Sequence, residues 1–482
     1  MNAAADYSAV DNYINEWGLV SYLARAIYSY DDRYLLTGSS RRDGSSRFGA
    51  NSKWGTFSAF SLGWNLHNEK FFNVDAINKF KLRASWGQTG NDQIGNYDQF
   101  GLLYSTTAVI DGESRGGFTI VSGQVENPNL KWEKNNSLDF GIDLGLFNNR
   151  IQFTVDYYKN ITSDLLLNVP LPTISGFTQG RQNIGEVVNK GFDFELMTRN
   201  IQNNNFTWNT SFVININDNE VTKLNSPGAQ ILSGPWYATN NITRVGDAIG
   251  SLYLWEADGV YNDQAELDAH NVVYDSGTPR VGEIKIVDQN GDARIDSDDR
   301  KVVGQPMAKY NFGLTNIFNY KNLDLRILVT GTGGNVIYNA AGREPGNFSF
   351  GRPQNKYKYF VDRWSPTNTD GKYPRVSYGG FPYSDGDAKE TTLDLFDGDY
   401  WRIKNVTLGY TLNSELFKDF VKSVRIYASV ENLFLKTKYE LGFNPEANGP
   451  EIGAASLING AGMDYTSFPN AKTLSLGVNV NF

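Results

Sequence analysis

Apolar and polar side chains alternate strictly along the last ten residues of the chain, 473–482. One parity carries Leu474, Leu476, Val478, Val480 and Phe482, and the other carries Ser475, Gly477, Asn479 and Asn481. Because residues two apart share a face of a strand, the segment predicts a strand with one apolar and one polar face. About ten residues is also the length with which a tilted strand crosses a bilayer. A half-buried strand of a soluble sandwich would show the same pattern. The number of such strands along the chain therefore decides between a sandwich and a membrane barrel.

The same alternation recurs along most of the chain. The apolar parity carries Phe60, Leu62, Trp64 and Leu66; Phe80, Leu82, Ala84 and Trp86; Leu138, Phe140, Ile142, Leu144 and Leu146; Ile151, Phe153, Val155 and Tyr157; Phe206, Trp208, Phe212, Ile214 and Ile216; Phe312, Leu314 and Phe318; Leu323, Leu325, Ile327 and Val329; and Val424, Ile426, Ala428 and Val430. A dyad repeat over so many strands favours a transmembrane β-barrel over a sandwich, whose strands are usually shorter.

Short and long connections alternate between these strands. Short turns are predicted at 31–33, 148–150, 201–205, 320–322 and 413–423, and long links at 38–54, 89–131, 168–187, 218–308, 334–399 and 435–470. Tight periplasmic turns at one rim and large extracellular loops at the other would produce this alternation. The fold class is therefore predicted as all-β, an antiparallel transmembrane β-barrel with about thirteen strands in this chain.

An odd strand number differs from the even number of complete bacterial barrels. Two open edges in hydrocarbon would leave many backbone groups unpaired, at several kcal/mol each. We therefore expect residues 1–482 to be the carboxy-terminal part of a larger barrel. The first residues, MNAAADYSAVDNY, show no basic region followed by an apolar segment, so no secretion signal is recognised there.

Composition narrows the possible chemistry. The mean hydropathy of −0.43 and the lack of a long apolar run exclude a membrane helix, but not a barrel with a polar lumen. Cysteine is absent and only His67 and His270 occur, which excludes thiolate zinc sites and most histidine-based catalysis. The net charge of −9 argues against a nucleic-acid partner. No nucleophile elbow or catalytic triad is recognised, so no enzyme activity is predicted.

Several stretches together resemble the SusC/RagA-like class of TonB-dependent outer-membrane transporters. The resemblance is carried in order by Asn129–Glu133 (NLKWE), Leu138–Asp143, Asp156–Lys159, Asn183–Val187, Asn189–Asp193, Asp288–Asp292, Arg363–Pro366, Tyr373–Arg375, Asn444–Glu446 and the terminal strand. It extends from about Tyr22 to Phe482, and the ordered set is far more specific than any single motif.

The resemblance implies a barrel of about 22 strands with a plugged lumen, in the outer membrane of a Gram-negative bacterium. It also implies import of oligosaccharides or peptides, a SusD-like surface lipoprotein as lid, and energy coupling to TonB through an amino-terminal part that is missing here. Outer-membrane lipid and the barrel assembly machinery are further implied partners. The signal peptide, the plug and about nine strands are expected to be absent from this chain.

The segment 288–299 (DQNGDARIDSDD) has the oxygen spacing of an EF-hand-like loop. Hard cations such as Ca²⁺ need clustered oxygen ligands, which would be Asp288, Asn290, Asp292, the Arg294 carbonyl, Asp296 and Asp299. Ala293 stands where the tight turn prefers glycine, and Asp299 is shorter than the usual glutamate. A solvated acidic turn is the alternative, so calcium is a possible rather than a required cofactor.

Four aromatic residues of the longest loop, Trp236, Tyr237, Tyr253 and Trp255, are candidate substrate-binding residues. Their flat faces could stack on sugar rings, pack the loop together, or meet a lid protein. Lys79, Lys81 and Arg83 are expected to face the lumen, against anionic solute or a plug. Alongside the importer, a secreted, soluble all-β glycan-binding protein is the alternative function.

Overall fold

The structure of the chain is a computed structural model. It describes residues 14–120, 125–177, 179–234, 240–275, 279–340, 358–375, 390–412, 421–440, 444–446, 460–464 and 467–482. Within these residues, no helix is long and apolar enough to cross a membrane.

One large antiparallel sheet dominates the described structure. Strands are numbered in chain order, and the sheet contains thirteen of them: β1 (Leu19–Tyr30), β2 (Tyr34–Ser45), β3 (Trp54–Asn65), β4 (Ile77–Asn91), β7 (Glu133–Leu146), β8 (Ile151–Ser163), β11 (Glu186–Gln202), β12 (Phe206–Lys223), β21 (Tyr310–Tyr320), β22 (Leu323–Gly333), β25 (Tyr400–Leu412), β26 (Ser423–Thr437) and β27 (Thr473–Asn481).

Each sheet strand pairs with the next sheet strand along the chain. All of these pairs are antiparallel, from β1 with β2 to β26 with β27. The strand number and the meander confirm the sequence-based prediction of a transmembrane β-barrel wall. Because the number is odd, β1 and β27, the two edges of the described sheet, run in the same direction.

The register places the predicted apolar parity on one common face, which we call the outer face. Leu476 pairs with Ala428, and Val478 with Ile426, while the polar neighbour Ser475 pairs with Ser429. Leu476 is 80% exposed, so these residues form an apolar surface rather than a dry interior between two sheets. The opposite, inner face carries the polar parity. This is the arrangement that a wall between lipid and an aqueous lumen requires.

The short connections are tight turns with residues in the left-handed region. Asp31 and Asp32 have φ of 50°, and Asn148 and Asn149 have φ of 58° and 56°. Asn and Asp tolerate this conformation better than other non-glycine residues, which explains their choice at these turns. One predicted link differs: 38–54 is mostly strand, because β2 continues to Ser45 and β3 begins at Trp54.

The long connections contain shorter strands and helices. The strands are β5 (Leu103–Ile110), β6 (Glu113–Ile120), β9 (Leu166–Pro170), β10 (Gln179–Asn183), β13 (Gln230–Ser233), β14 (Asn241–Arg244), β15 (Ser251–Trp255), β16 (Ala257–Val260), β17 (Val273–Tyr274), β18 (Ile284–Ile286), β19 (Arg294–Ile295), β20 (Arg300–Gly304), β23 (Val336–Tyr338) and β24 (Leu395–Asp397). The helices of these connections are α1 (Gln264–His270) and the 3-10 turns Thr173–Ser175, Ser297–Asp299, Lys358–Asp362 and Thr392–Asp394; a further 3-10 turn, Leu66–Asn68, lies in the shorter connection between β3 and β4.

The buried apolar clusters of the described residues lie mainly among these loops and at the loop ends of the strands. One contains Leu252, Leu254, Tyr338, Ala340 and Met463, from three different connections. A second contains Val272, Tyr274, Ile286 and Ile295, within the longest connection. The long loops are therefore folded together around their own cores instead of lying separately on the rim.

Candidate functional site: the inner wall and the loop unit

The inner face of four neighbouring strands, β7, β8, β11 and β12, forms a polar recess of about 510 Å³. Its lining is made of amide, hydroxyl and carboxylate side chains: Asn135, Ser137, Asp139, Tyr158, Asn160, Thr162, Asn189, Asp193, Asn215 and Asn217. All ten belong to the parity opposite to the apolar residues, because the strand period of two sends them to the inner face. The sequence predicted this face as luminal but did not single out the recess.

Hydrogen bonds link the recess side chains across strands. Ser137 Oγ donates to Asn160 Oδ1 at 2.6 Å, and Asn215 Nδ2 donates to Asp193 Oδ1 at 2.6 Å. Tyr158 Oη donates to Asn217 Oδ1 at 3.0 Å. Since an amide offers both donors and acceptors, part of this capacity is left for a neutral polar group facing the wall.

Arg83 lies on the same inner face among several carboxylates. Its Nη2 is 2.8 Å from Asp156 Oδ1 and 3.1 Å from Asp143 Oδ1, and its Nη1 is 3.9 Å from Asp139. Lys79 Nζ is 3.9 Å from Asp143. The predicted luminal position of Arg83 is confirmed. Its charge is balanced by the wall itself, which disfavours its use as a free receptor for anions.

Two of the four candidate aromatic residues lie on β15. The guanidinium carbon of Arg300 is 4.8 Å from the Tyr253 ring centroid and 5.0 Å from the Trp255 centroid. Trp255 Nε1 also donates to the Asp296 carbonyl at 2.7 Å, and its ring packs on the cluster around Ile295. Both rings therefore help to hold the loop together. The other two candidates, Trp236 and Tyr237, lie outside the described residues.

The predicted calcium loop is a chain of side-chain to backbone hydrogen bonds. Asp288 accepts from the N–H groups of Gly291 and Ala293, at 2.7 and 2.8 Å, and Asp292 accepts from that of Arg294. These hydrogen bonds outweigh partial desolvation and hold the pKa of Asp288 below its usual range.

The end of the same loop is more enclosed. Asp299 is fully buried, and its carboxylate accepts from the N–H groups of Gln289 and Asp296, both at 2.8 Å. Asp296 in turn accepts from the N–H group of Asp298. Within the described residues, no three His, Asp or Glu side chains gather as a metal centre would need. Calcium binding here stays a prediction, since the loop stands in this geometry through hydrogen bonds alone.

A buried polar cluster in the longest loop was not anticipated from the sequence. Tyr261 Oη lies 2.6 Å from His270 Nδ1 and 3.1 Å from Tyr274 Oη, and Tyr274 Oη donates to the Ile284 carbonyl. Burial lowers the pKa of His270 and raises that of Tyr261. Tyr261, His270 and Tyr274 lie close in the sequence, but their spacing follows neither a strand nor a helix period, so only the fold shows that they meet.

Glu283 is a second buried titratable group of this loop. It is almost completely buried, and its carboxylate accepts from the Arg280 N–H at 2.8 Å. Burial raises the pKa of Glu283 to about 7. The carboxyl group therefore releases its proton closer to neutral pH than an exposed glutamate does.

Asn241 ties the longest loop to the connection between β26 and β27. Its Nδ2 donates to the carbonyls of Gly250 and Ala461, at 2.9 and 3.1 Å, and its Oδ1 accepts from the Gly460 N–H at 3.2 Å. A buried amide satisfied on both sides fixes two segments against each other. We call the described segments 240–275, 279–309, 334–340, 390–399 and 460–464 the loop unit.

The chain was compared with known families, proteins and structures. Residues 2–288 match the family model described as TonB dependent receptor-like, beta-barrel. TonB-dependent receptor P3 of Formosa agariphila is 36% identical over 477 residues, covering 98% of this chain and 46% of the relative. TonB-dependent receptor SusC of Bacteroides thetaiotaomicron is 32% identical over 496 residues, covering 96% and 44%.

Among solved structures, the RagAB peptide transporter matches with a TM-score of 0.80 at 26% identity, covering 97% of this chain and 48% of that chain. The RagAB peptide importer in its open-open state matches with a TM-score of 0.77 at 25% identity. The chain thus spans about half the length of the relatives it matches. With its antiparallel wall and its family match over more than half of the sequence, the chain belongs to the TonB-dependent receptor-like β-barrel family, whose members are outer-membrane proteins of Gram-negative bacteria.

Proposed function

We propose that this chain forms the wall and the extracellular loops of an outer-membrane nutrient importer that takes up oligosaccharides or peptides. The observation that carries the proposal is the thirteen-stranded sheet with an apolar outer and a polar inner face, topped by folded loops. The similarity to SusC and to the RagAB peptide transporter supports it. A SusD-like surface lipoprotein as lid and energy coupling through TonB complete the proposal. Residues 1–482 then represent the carboxy-terminal part of the transporter barrel.

The transport role needs no covalent chemistry from this chain. The polar recess offers hydrogen bonds to neutral groups such as sugar hydroxyls or peptide amides. The loop aromatics Trp236 and Tyr237 are proposed to contact the solute first, because rings stack on apolar faces of sugars and side chains. Tyr253 and Trp255, the other two candidates, are proposed to hold the loop together, since Arg300 lies against both rings.

The alternative, a soluble glycan-binding protein, is disfavoured by the outer face. Leu476 and Phe482 are 80% and 67% exposed, and the apolar parity extends over the neighbouring strands. A soluble protein rarely exposes a contiguous apolar surface of this extent. In a membrane the same apolar surface contacts lipid chains and is not exposed to water.

The membrane placement is tested with a matched pair of substitutions on β27. Leu476→Arg puts a charge on the proposed lipid face and should cost about 2–4 kcal/mol near the bilayer midplane. Ser475→Arg puts the same charge on the inner face, beside Ser429, and should be tolerated. The readout is the amount of folded protein in the outer-membrane fraction. Equal accumulation of the two variants would contradict the face assignment.

The transport role is tested in cells that lack the gene. Loss of growth on a nutrient oligosaccharide or peptide mixture, restored by the complete reading frame, is the expected result. Wild-type uptake of both nutrient classes in the deletion strain would refute the importer, without affecting the membrane placement tested above.

A further inference from the structure

Tyr158 on the inner face lies flat across a glycine of the neighbouring strand. It pairs with Gly191 on β11, and Gly191 pairs on its other side with Asn217 on β12. The Tyr158 hydroxyl reaches over the glycine and donates to Asn217 Oδ1 at 3.0 Å. A Cβ at Gly191 would come within 3.0 Å of this ring, so the glycine is what lets the side chain pass. Tyr158 thus joins two strands that do not pair with each other.

Two arginines make the same kind of bridge. Arg83 on β4 crosses Gly141 on β7, and its Nη2 contacts Asp156 Oδ1 on β8 at 2.8 Å. Arg425 on β26 crosses Gly409 on β25, and its Nε donates to Asp324 Oδ1 on β22 at 2.8 Å. In all three cases the acceptor pairs directly with the crossed glycine.

Tyr427 makes the first half of a fourth bridge, at the edge of the sheet. It pairs with Gly477 on β27, and a Cβ at Gly477 would come within 3.0 Å of the Tyr427 ring. Arg425 lies against the ring, with its guanidinium carbon 5.1 Å from the centroid. The Tyr427 hydroxyl has no hydrogen-bond partner among the described residues, and β27 has no pairing strand beyond it among them.

Strand direction decides what can fill that place. Since β1 and β27 run the same way, β1 of this chain, or of a second copy inserted the same way up, could only pair with β27 in parallel. Every pair in the described sheet is antiparallel, as in transmembrane barrels generally. The relatives contain about as much length again as this chain covers, which is ample for further strands.

We propose that the strand completing the sheet at β27 places a hydrogen-bonding side chain directly opposite Gly477. That strand runs antiparallel to β27. The Tyr427 hydroxyl reaches over Gly477 and bonds the new side chain, as Tyr158 does with Asn217. We call the junction between β27 and this strand the seam. Tyr427 is therefore a positioning residue that stabilises the seam, an inference that rests on the proposed membrane function.

The test uses the protein expressed from its complete reading frame and purified in detergent. Tyr427→Phe removes the hydroxyl and keeps the ring. Loss of one hydrogen bond of about 1 kcal/mol corresponds to roughly five-fold faster amide exchange at the seam. We expect this acceleration in peptides from 473–482, measured by hydrogen exchange and mass spectrometry.

Tyr158→Phe is the matched control, because it removes the same hydroxyl from a bridge that the structure shows complete. It should accelerate exchange within 206–223 and leave 473–482 unchanged. The proposal is overturned if Tyr427→Phe leaves 473–482 at the wild-type rate while the control behaves as expected.

A measurement on the unmodified protein covers the case in which Tyr427→Phe fails to assemble. N-acetylimidazole acetylates accessible tyrosine hydroxyls, and Tyr427 should be protected as strongly as Tyr158. Rapid acetylation of Tyr427 alone would overturn the proposal. Failure of the proposed membrane placement is recognised separately, since the unmodified protein would then be absent from the outer-membrane fraction, and the proposal for Tyr427 would fall with it. Failure of the importer role alone would leave the proposal for Tyr427 standing.

Discussion

The guanidinium of Arg83 contacts the carboxylate of Asp156 at 2.8 Å, although the two residues lie on strands that are not neighbours. The contact crosses Gly141, where a side chain would meet the guanidinium. An inner wall built in this way joins strands in threes as well as in pairs. The glycines of the polar parity are therefore structural requirements at particular positions.

Replacing Gly141 with alanine should destabilise the wall. The new Cβ would come within 3.0 Å of Arg83 and Asp156, so both side chains must move. We expect a loss of about 1–3 kcal/mol, as for other overpacked sites. The measurement is the temperature at which the folded band disappears in semi-native electrophoresis. Gly116→Ala is the control, since nothing lies within 4 Å of its added Cβ, and an equal effect of both would contradict the bridge.

The loop unit should lose stability as the pH rises through neutrality. Glu283 has a folded-state pKa of about 7, above its ordinary value of 4.5, so the folded protein binds more protons than the unfolded protein between these values. Stability is then greatest near pH 4.5 and falls toward pH 7. His270 acts in the opposite sense, because its lowered pKa makes protonation below about pH 6.5 unfavourable.

Glu283→Gln separates the two effects. It should reduce the loss of stability between pH 5 and pH 8 that is measured by proteolysis of the loop unit; the remaining loss is expected from Asp394, whose pKa burial also raises to about 7. Arg280 and Arg375 stay in place as the nearby positive charges in this variant. A pH dependence identical to that of the unmodified protein would show that Glu283 does not control it.

The carboxylates of the 288–299 loop should coordinate Ca²⁺ if they can give up the hydrogen bonds that they accept from backbone N–H groups. Calorimetric titration of the unmodified protein should then show a saturable site in the range of extracellular calcium modules, about 10⁻⁴–10⁻³ M. Asp288→Asn and Asp299→Asn should abolish it. Asp298→Asn, outside the predicted ligand set, is the control. Absence of saturable binding in the unmodified protein would leave the loop as a hydrogen-bonded acidic turn.

Trp255→Ala should loosen the loop unit, whereas Trp236→Ala should weaken solute binding. The half-buried Trp255 ring packs on the Ile295 cluster and its Nε1 donates to the Asp296 carbonyl, so its loss should cost less than the about 3–5 kcal/mol of truncating a fully buried aromatic ring. Trp236, which lies outside the described residues, is proposed above to contact the solute. Limited proteolysis and binding of labelled oligosaccharides or peptides distinguish the two outcomes. If Trp255→Ala weakened solute binding and Trp236→Ala loosened the loop unit, the two proposed roles would be wrong.

The strand pattern was predictable because it depends on local periodicity. The alternation at 473–482 already assigns Leu476 and Ser475 to opposite faces, and the register with Ala428 and Ser429 confirms this. The residues at which the strands begin and end were less predictable than the strands themselves. The chain between 38 and 54 contains glycines and charges that suggest a loop, yet pairing with neighbouring strands holds about half of it in β2.

The sequence by itself determined the fold class, the face of each strand, the alternation of turns and loops, and the family. These follow from residues at fixed short spacing, whose side chains must alternate on a pleated strand. Only the tertiary structure decided that Tyr261 meets His270, that Arg300 covers Tyr253 and Trp255, and that Tyr427 reaches over Gly477. Such contacts join residues whose separation along the chain carries no period, and they depend on how distant segments pack in three dimensions.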